Sequence, residues 1–504
     1  MAQVDASARN RHDGYMTRTR IASLLGILLA LGAGALVWWS RPPSGPIIGT
    51  FDPGSWISTL ILAPADGHAF ALSPTDGRVF VLNVRTAALT RVMTVPLPSG
   101  VLSPPSARSA PGIVDGQVFL TGAIPLQGPR RLYAAPERGG QSRAVAALPP
   151  SVQGPYLTVD AAAHRLFMLV DAPPEGRLDT YDTQTLRLLR STPLRSRGMR
   201  AASSAASGDA TPLANDVPDG RIIVGHLWHP VVSVLDATGG RVLATVPVGP
   251  SPLGGAIAAV PSIAVDSRAH RAYISLPDTG AVTTIDVRRG RVVRTVQTGL
   301  EAGGPLVDER TGHVVVASLG AVSVLDARSG TLVRTTSSSQ TIDHYPVAID
   351  ERSGNVYVAG FNGQSVGVFD GSSGRLRSNM PVPGDPEAIA ADNATGRVFV
   401  VVGQRRNSAQ GMVAGATSLC VLDGATGHLR HVVPLAASID ARLYLDERAN
   451  RALVLLDGFP PAPRPSPWWW VPAWLRGRLP GVPAAPPVRQ PGRTSVSVVD
   501  TAGL

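Results

Sequence analysis

Residues 262–299 read SIAVDSRAHRAYISLPDTGAVTTIDVRRGRVVRTVQTG, residues 304–339 read GPLVDERTGHVVVASLGAVSVLDARSGTLVRTTSSS, and residues 346–384 read PVAIDERSGNVYVAGFNGQSVGVFDGSSGRLRSNMPVPG. One pattern is written three times and begun a fourth. An apolar run ends at Asp266, Asp308, Asp350 and Asp392, each 42 residues after the last. Every unit holds four short runs rich in Val, Ile, Leu, Tyr and Ala, separated by Asp, Ser and Gly, which is how strands joined by tight turns read. Aspartate accepts hydrogen bonds from amides just downstream and the following glycine supplies a positive φ, so D-E-R-T-G and D-A-R-S-G close hairpins. Four strands in a period of about 40 to 45 residues predict one propeller blade per unit.

NVYVAG (355–360), AVSVLDARSG (321–330) and GRVLATVPVG (240–249) resemble the blades of the YVTN family of bacterial β-propellers, and the likeness covers most of the chain beyond residue 50. It implies an all-β propeller of four-stranded blades. For function it implies little beyond a binding surface, since members of that family bind varied partners. Some related propellers are sugar lactonases or heavy chains of quinoprotein amine dehydrogenases, and this makes an enzyme the alternative expectation.

Working outward, the pattern predicts units at 56–98, 111–149 and 156–194, a fourth ending in PVVSVLDATGGRVLATVPVG, the three quoted copies, an eighth beginning EAIAADNATGRVFVVV, and a ninth beginning ARLYLDERANRALVLLDG. That count is nine blades, or eight if the degenerate second unit is not independent. The ninth unit ends one strand short at TSVSVVDTAGL. GPIIGTFDPG (45–54) aligns with GRVLATVPVG, so a segment around Pro46 to Phe51 is expected to supply the missing outer strand and close the ring. Closure removes exposed sheet edges that would otherwise pair with other chains.

The 46 basic residues among 504 are all arginines, scattered through turns, and the net charge is +10. Scatter of this kind excludes a dedicated nucleic-acid stripe. The lone Cys420, in TSLCVLD, forms no internal disulfide and reads as a core residue. Residues 21–39, IASLLGILLALGAGALVWW, are 19 residues without a charge, preceded by Arg9, Arg11, Arg18 and Arg20. Such a run is about 29 Å long as a helix, enough to span a bilayer, and the arginines predict a cytoplasmic tail (1–20), a linker (40–45) and an exported propeller (46–504). A cleaved signal peptide ending near Ala33-Gly34-Ala35 is the rival reading. Both put the propeller outside the cytoplasm.

Candidate ligand-binding residues at a channel mouth are His226, Trp228 and His229, in GHLWHPVV, and Asp343, His344 and Tyr345, in TIDHYPVAID. Histidine beside an aromatic suits an anion, a sugar or a metal; the competing role is strand capping or packing between blades. No local spacing fixes a metal site, the single turn aspartates lack the ligand density of a calcium loop, and no catalytic motif or cofactor is expected. The unusual stretch is 459–493, which carries Trp468, Trp469, Trp470 and Trp474 beside Arg464, Arg476 and Arg478. That mixture suits a bilayer interface, a partner protein or a flap on the ring's own wall. Because it belongs to the blade that the terminus completes, it is expected beside the membrane anchor. The whole points to a membrane-anchored binding or scaffolding module for a protein or small ligand.

Overall fold

The computed structural model describes residues 45–504 except 74–76, 95–100, 104–112, 124–129, 139–140, 149–155, 171–175, 195–211, 227–230, 239, 249–260, 278, 339–345, 361–362, 405, 409–410 and 459–492. Nine antiparallel sheets follow one another along the chain, at 59–94, 101–148, 156–194, 213–247, 262–297, 306–337, 347–381, 385–438 and 440–500. These are blades 1 to 9. In blades 1 to 8 the strands lie side by side in chain order, and from blade 3 round through blade 9 to blade 1 the first strands of successive blades touch one another. The ring is therefore closed around the first strands, with the fourth strands outermost.

The ninth blade completes itself as the alignment predicts. Its order is Ile47–Phe51, Arg493–Asp500, Arg451–Gly458, Asp440–Asp446, and the closing strand pairs Ile47 with Val499 and Phe51 with Val496. The Asp500 amide adds a hydrogen bond of 2.7 Å to the Pro46 carbonyl. Blade 2 is the irregular one. Val101–Ser103 and Ile113–Val114 both pair with Gln117–Ala123, so two short pieces share the place of one inner strand. Pro104, Pro105 and Pro111 lack the amide that a continuous ladder requires, which is why this blade is faint in the sequence.

Each sheet is covered on both sides by its neighbours, so second strands read as unbroken apolar runs such as HVVVAS and RVFVVVG. The core is correspondingly divided into nine clusters, one between each pair of adjacent blades. The cluster that seals the ring packs Leu60, Phe80 and Leu82 of blade 1 against Leu453, Leu455 and Val496 of blade 9. Phe51 adds its ring at 5.4 Å from Phe80. Cys420 is buried, and burial pushes its thiol up to about 12, as expected of a core residue.

The turn aspartates are caps. Asp266, Asp308, Asp350 and Asp392 are each at most 3% exposed and accept backbone N–H bonds within their own hairpins, from Ala269, Thr311, Arg352 and Ala394 for example. The left-handed position that Gly312, Gly354 and Gly396 fill elsewhere is held by His164 (φ 54°) in blade 3 and His270 (φ 57°) in blade 5. A histidine there costs about 1–2 kcal/mol of backbone strain. Each offsets it by reaching the preceding blade: His164 Nδ1 lies 2.8 Å from Asp115, and His270 Nδ1 lies 2.7 Å from Asp219.

Candidate functional site

An antiparallel blade gives the ring two unlike faces. The hairpins joining first to second and third to fourth strands all emerge on one face, and those between first and second strands are mostly four-residue turns such as 309–312, 351–354 and 393–396. Connections between second and third strands, and from one blade to the next, emerge on the other. There the chain makes its long excursions, including 195–212, 248–261, 404–414 and 459–492. Binding residues concentrate on long connections held by a rigid scaffold, so the second face is the candidate interface.

His226 stands on this face, at the end of Arg221–Gly225, but its ring is only 8% exposed and its Nε2 lies 2.9 Å from Ser233 Oγ on the neighbouring strand. Its amide donates to the Val231 carbonyl. The ring caps its own blade. Trp228, His229, Asp343, His344 and Tyr345 lie outside the described residues, as do Trp468, Trp469, Trp470, Trp474, Arg476 and Arg478. The strands that flank the first of these loops belong to blade 4, and those that flank the second belong to blades 6 and 7. Among the described residues no three His, Cys, Asp or Glu side chains are grouped so as to hold a metal.

What the structure brings together on this face lies at the seam between blades 9 and 1. Asp440, which opens the first strand of blade 9, is the register partner of Asp457, the last residue but one of the second. Arg442 holds Nη2 at 3.7 Å from Asp457 Oδ2 and donates through Nη1 to the Ser58 carbonyl of blade 1. Thr494 Oγ1 accepts the Ile57 amide at 2.6 Å and donates to the Ser55 carbonyl at 3.0 Å. Tyr444 sets its hydroxyl 3.2 Å from Thr59 Oγ1. Sequence reasoning missed this group, although a signal was present: ARLYLD and LVLLDG put Arg442 where the three quoted copies carry Ser262, Gly304 and Pro346, and Asp457 where they carry Pro277, Leu319 and Phe361. On the adjoining blade 8, Glu387 sits at a register shift between Pro386 and Ala388 and lies over Gly403, where any Cβ would meet Glu387 Oε1 at 2.3 Å.

Burial pushes the Asp457 carboxyl up to about 6; Arg442 opposes the shift and Asp440 adds to it. Its Oδ1 is buried without a hydrogen-bond partner. Since the folded value exceeds the ordinary 3.8, the folded state holds this proton more tightly, and stability present below pH 4 is lost as pH rises through about 6. The loss is on the order of 2–3 kcal/mol if no other group compensates. Urea midpoints across that window are expected to fall in the parent and to flatten in Asp457→Asn. Parallel curves would show that Asp457 does not titrate there.

The molecule is a nine-bladed β-propeller with one face of tight turns and one of long connections. No family model matches the chain, and no curated protein does. Among solved structures it is similar to Sqt1 of Saccharomyces cerevisiae, at 11% identity and a TM-score of 0.47 over 81% of this chain and 95% of that one. It is also similar to the dihydro-heme d1 dehydrogenase NirN in complex with DHE, at 16% identity and a TM-score of 0.43 over 80% and 83%. Hydrazine synthase of Kuenenia stuttgartiensis matches at 17% identity and a TM-score of 0.37 over 51% and 80%. At these identities and scores none of them says what this chain binds or does.

The closing strand also orients the ring. Ile47 lies beside Val499, at the tight-turn end of blade 9, while Gly458 and Arg493, which bracket 459–492, pair at the opposite end. Insertion and terminus share a blade, as expected, but they attach to opposite faces. Eight residues of strand separate the two, about 26 Å. The expected anchor, 21–39, and the insertion, 459–492, both lie outside the described residues. Among the described residues no helix is long and apolar enough to cross a membrane, and the predicted span at 21–39 lies outside them.

Proposed function

We propose that this chain is a membrane-anchored, extracytoplasmic propeller of YVTN type that binds or scaffolds a protein partner on its long-connection face. The observation that carries the reading is the opposed attachment of residue 47 and of 459–492 on blade 9. If residues 21–39 span the bilayer, the face of tight turns looks toward it and the long connections look away, into the space where a partner would be met. The tryptophans and arginines of 459–492 then serve that partner, aromatic and arginine side chains being the usual anchors of an interface. His229 and the 343–345 loop belong to the same display. An enzyme is the weaker reading, because Asp457, the one markedly shifted acid on this face among the described residues, has a guanidinium at 3.7 Å and no nucleophile bonded to it.

Register makes the test clean. Gly458 pairs with Arg493 and Asp457 with Thr494, so a two-residue turn can replace 459–492 without disturbing either strand. The shortened chain is expected to unfold within about 1 kcal/mol of the parent, as surface changes do. Solubilised from membranes in mild detergent, it should run as a smaller assembly on native gels. An unchanged assembly would remove the partner reading, and a loss of several kcal/mol would make the segment a flap on the ring. The anchor is read separately: the full chain should stay with membranes through an alkaline wash and be cut by protease added from outside.

A further inference from the structure

We infer that the rim of the tight-turn face seats on the surface of an anionic bilayer, so that the ring lies flat and does not swing on its linker. The inference rests on the anchored reading above. The surface it rests on is made of described residues, and only the choice of occupant uses the sequence of 21–46.

Fifteen large hydrophobic side chains are exposed among the described residues, and thirteen of them occupy the first four positions of fourth strands. Those positions follow the tight turns, so this apolar surface lies at one end of the ring's outer wall. Leu188 with Leu189, Val292 with Val293 and Leu332 with Val333 show the pattern. Its cause is local. In seven blades the third and fourth strands shift register at this point, as between Thr284 opposite Arg294 and Ile285 opposite Val292. The extra residue is a β-bulge, which breaks the alternation of sides and leaves two consecutive aliphatic side chains facing outward. Toward the far end alternation returns, and Met93, Val246 and Leu194 are buried.

The exposed charge among the aliphatic pairs is arginine, while Asp66, Glu309, Glu351 and Glu447 are exposed on the same face in the turns between first and second strands. Arg187, Arg190, Arg241, Arg291, Arg294 and Arg334 are exposed between the aliphatic pairs. The acids beside them are turned inward: Asp219 and Asp286 are each 5% exposed beneath Arg288 and Arg289, which are 57% and 67% exposed. Aliphatic side chains interleaved with outward arginines are the chemistry that binds the interface of an anionic bilayer, where acyl chains and phosphates lie within a few ångströms of each other. The chain's own covalent path names this occupant over a protein. Residue 47 enters the ring on this face, and the seven residues 40–46 that separate it from the apolar run 21–39 can span at most about 25 Å. The rim is thus held within reach of the headgroups.

The full chain offers its own ruler. Cys420 is buried and stays unlabelled, so a fluorophore can be placed by Val293→Cys or Val333→Cys near the turns, and by Gln297→Cys or Ser337→Cys about 13 Å along the same strands. In vesicles of mixed zwitterionic and anionic lipid carrying a headgroup quencher, residues 293 and 333 are expected to be quenched about threefold more than 297 and 337. Most of that contrast should vanish in purely zwitterionic vesicles. Equal quenching at both ends, stronger quenching at 297 and 337, or a contrast indifferent to lipid charge would overturn the seating. A chain that washes off the vesicles overturns the anchored reading alone. The labelled protein is then mixed with preformed anionic vesicles, where selective quenching at 293 and 333 sustains the seating and its absence ends it.

Discussion

A chain that begins at Asp52 is expected to lose about 4 kcal/mol or more of stability relative to one that begins at Gly45, and to self-associate as it does so. The seven residues between those starts hold the closing strand. Ile47 packs into the cluster between blades 8 and 9, and Ile48 and Phe51 pack into the cluster between blades 9 and 1. Partial burial of three large apolar side chains at about 1–2 kcal/mol each accounts for the estimate, before any backbone pairing is counted. The strand Arg493–Asp500 would also be left with a bare edge along Val496, Val498 and Val499, an invitation to pair with another chain. Urea unfolding followed by light scattering measures both effects. The chain starting at Gly45 keeps the closing strand and should match the full protein's propeller transition. Coincident curves for the two shortened chains would mean that the ring does not depend on its closing strand.

Gly424→Ala is expected to cost about 3 kcal/mol, a large effect for one methyl group. Gly424 sits in the turn between the third and fourth strands of blade 8, pressed against blade 7. A Cβ there would meet the Gly396 carbonyl oxygen at 2.4 Å and Asp350 Oδ2 at 2.8 Å. Neither can retreat cheaply. Gly396 O accepts the Gly424 amide at 2.8 Å, and the buried Asp350 caps its own hairpin. The Gly424 carbonyl in turn accepts from Tyr357 Oη and from Asn355 Nδ2, both buried in blade 7, so displacing the turn strands two polar groups at once. Gly503→Ala is the control, since nothing lies within 4 Å of a Cβ there. Thermal denaturation should separate the pair by many degrees; equal midpoints would show that the contact between these blades yields without cost.

The blades, their number to within one and the origin of the closing strand were readable from the chain alone. All three follow from interactions that act within one unit of about 40 residues: period-2 apolar alternation, aspartate caps such as Asp308 and Asp350, and glycine at left-handed positions. Blade 2 was readable only in part, because Pro104, Pro105 and Pro111 divide its inner strand and the two pieces find their common partner, Gln117–Ala123, only in the folded sheet. The seam group of Asp440, Arg442 and Asp457 had to wait for the structure for a different reason. Its members come from separate strands and its contacts cross to blade 1, and a local pattern does not report which blades meet when a ring closes.

His226 shows the limit from the other side. The sequence marked it correctly as the edge of a connection between strands, but whether a ring points into a mouth or onto Ser233 depends on side-chain direction at a strand end. Composition is silent on that. The direction of blade 9 makes the same point at larger scale. That the terminus and the 459–492 segment share a sheet could be deduced from strand counting, since hydrogen bonding makes them neighbours. Which face each leaves from is a matter of antiparallel registry over a strand about 26 Å long, and so only the paired backbone, with Ile47 beside Val499 and Gly458 beside Arg493, set them on opposite sides.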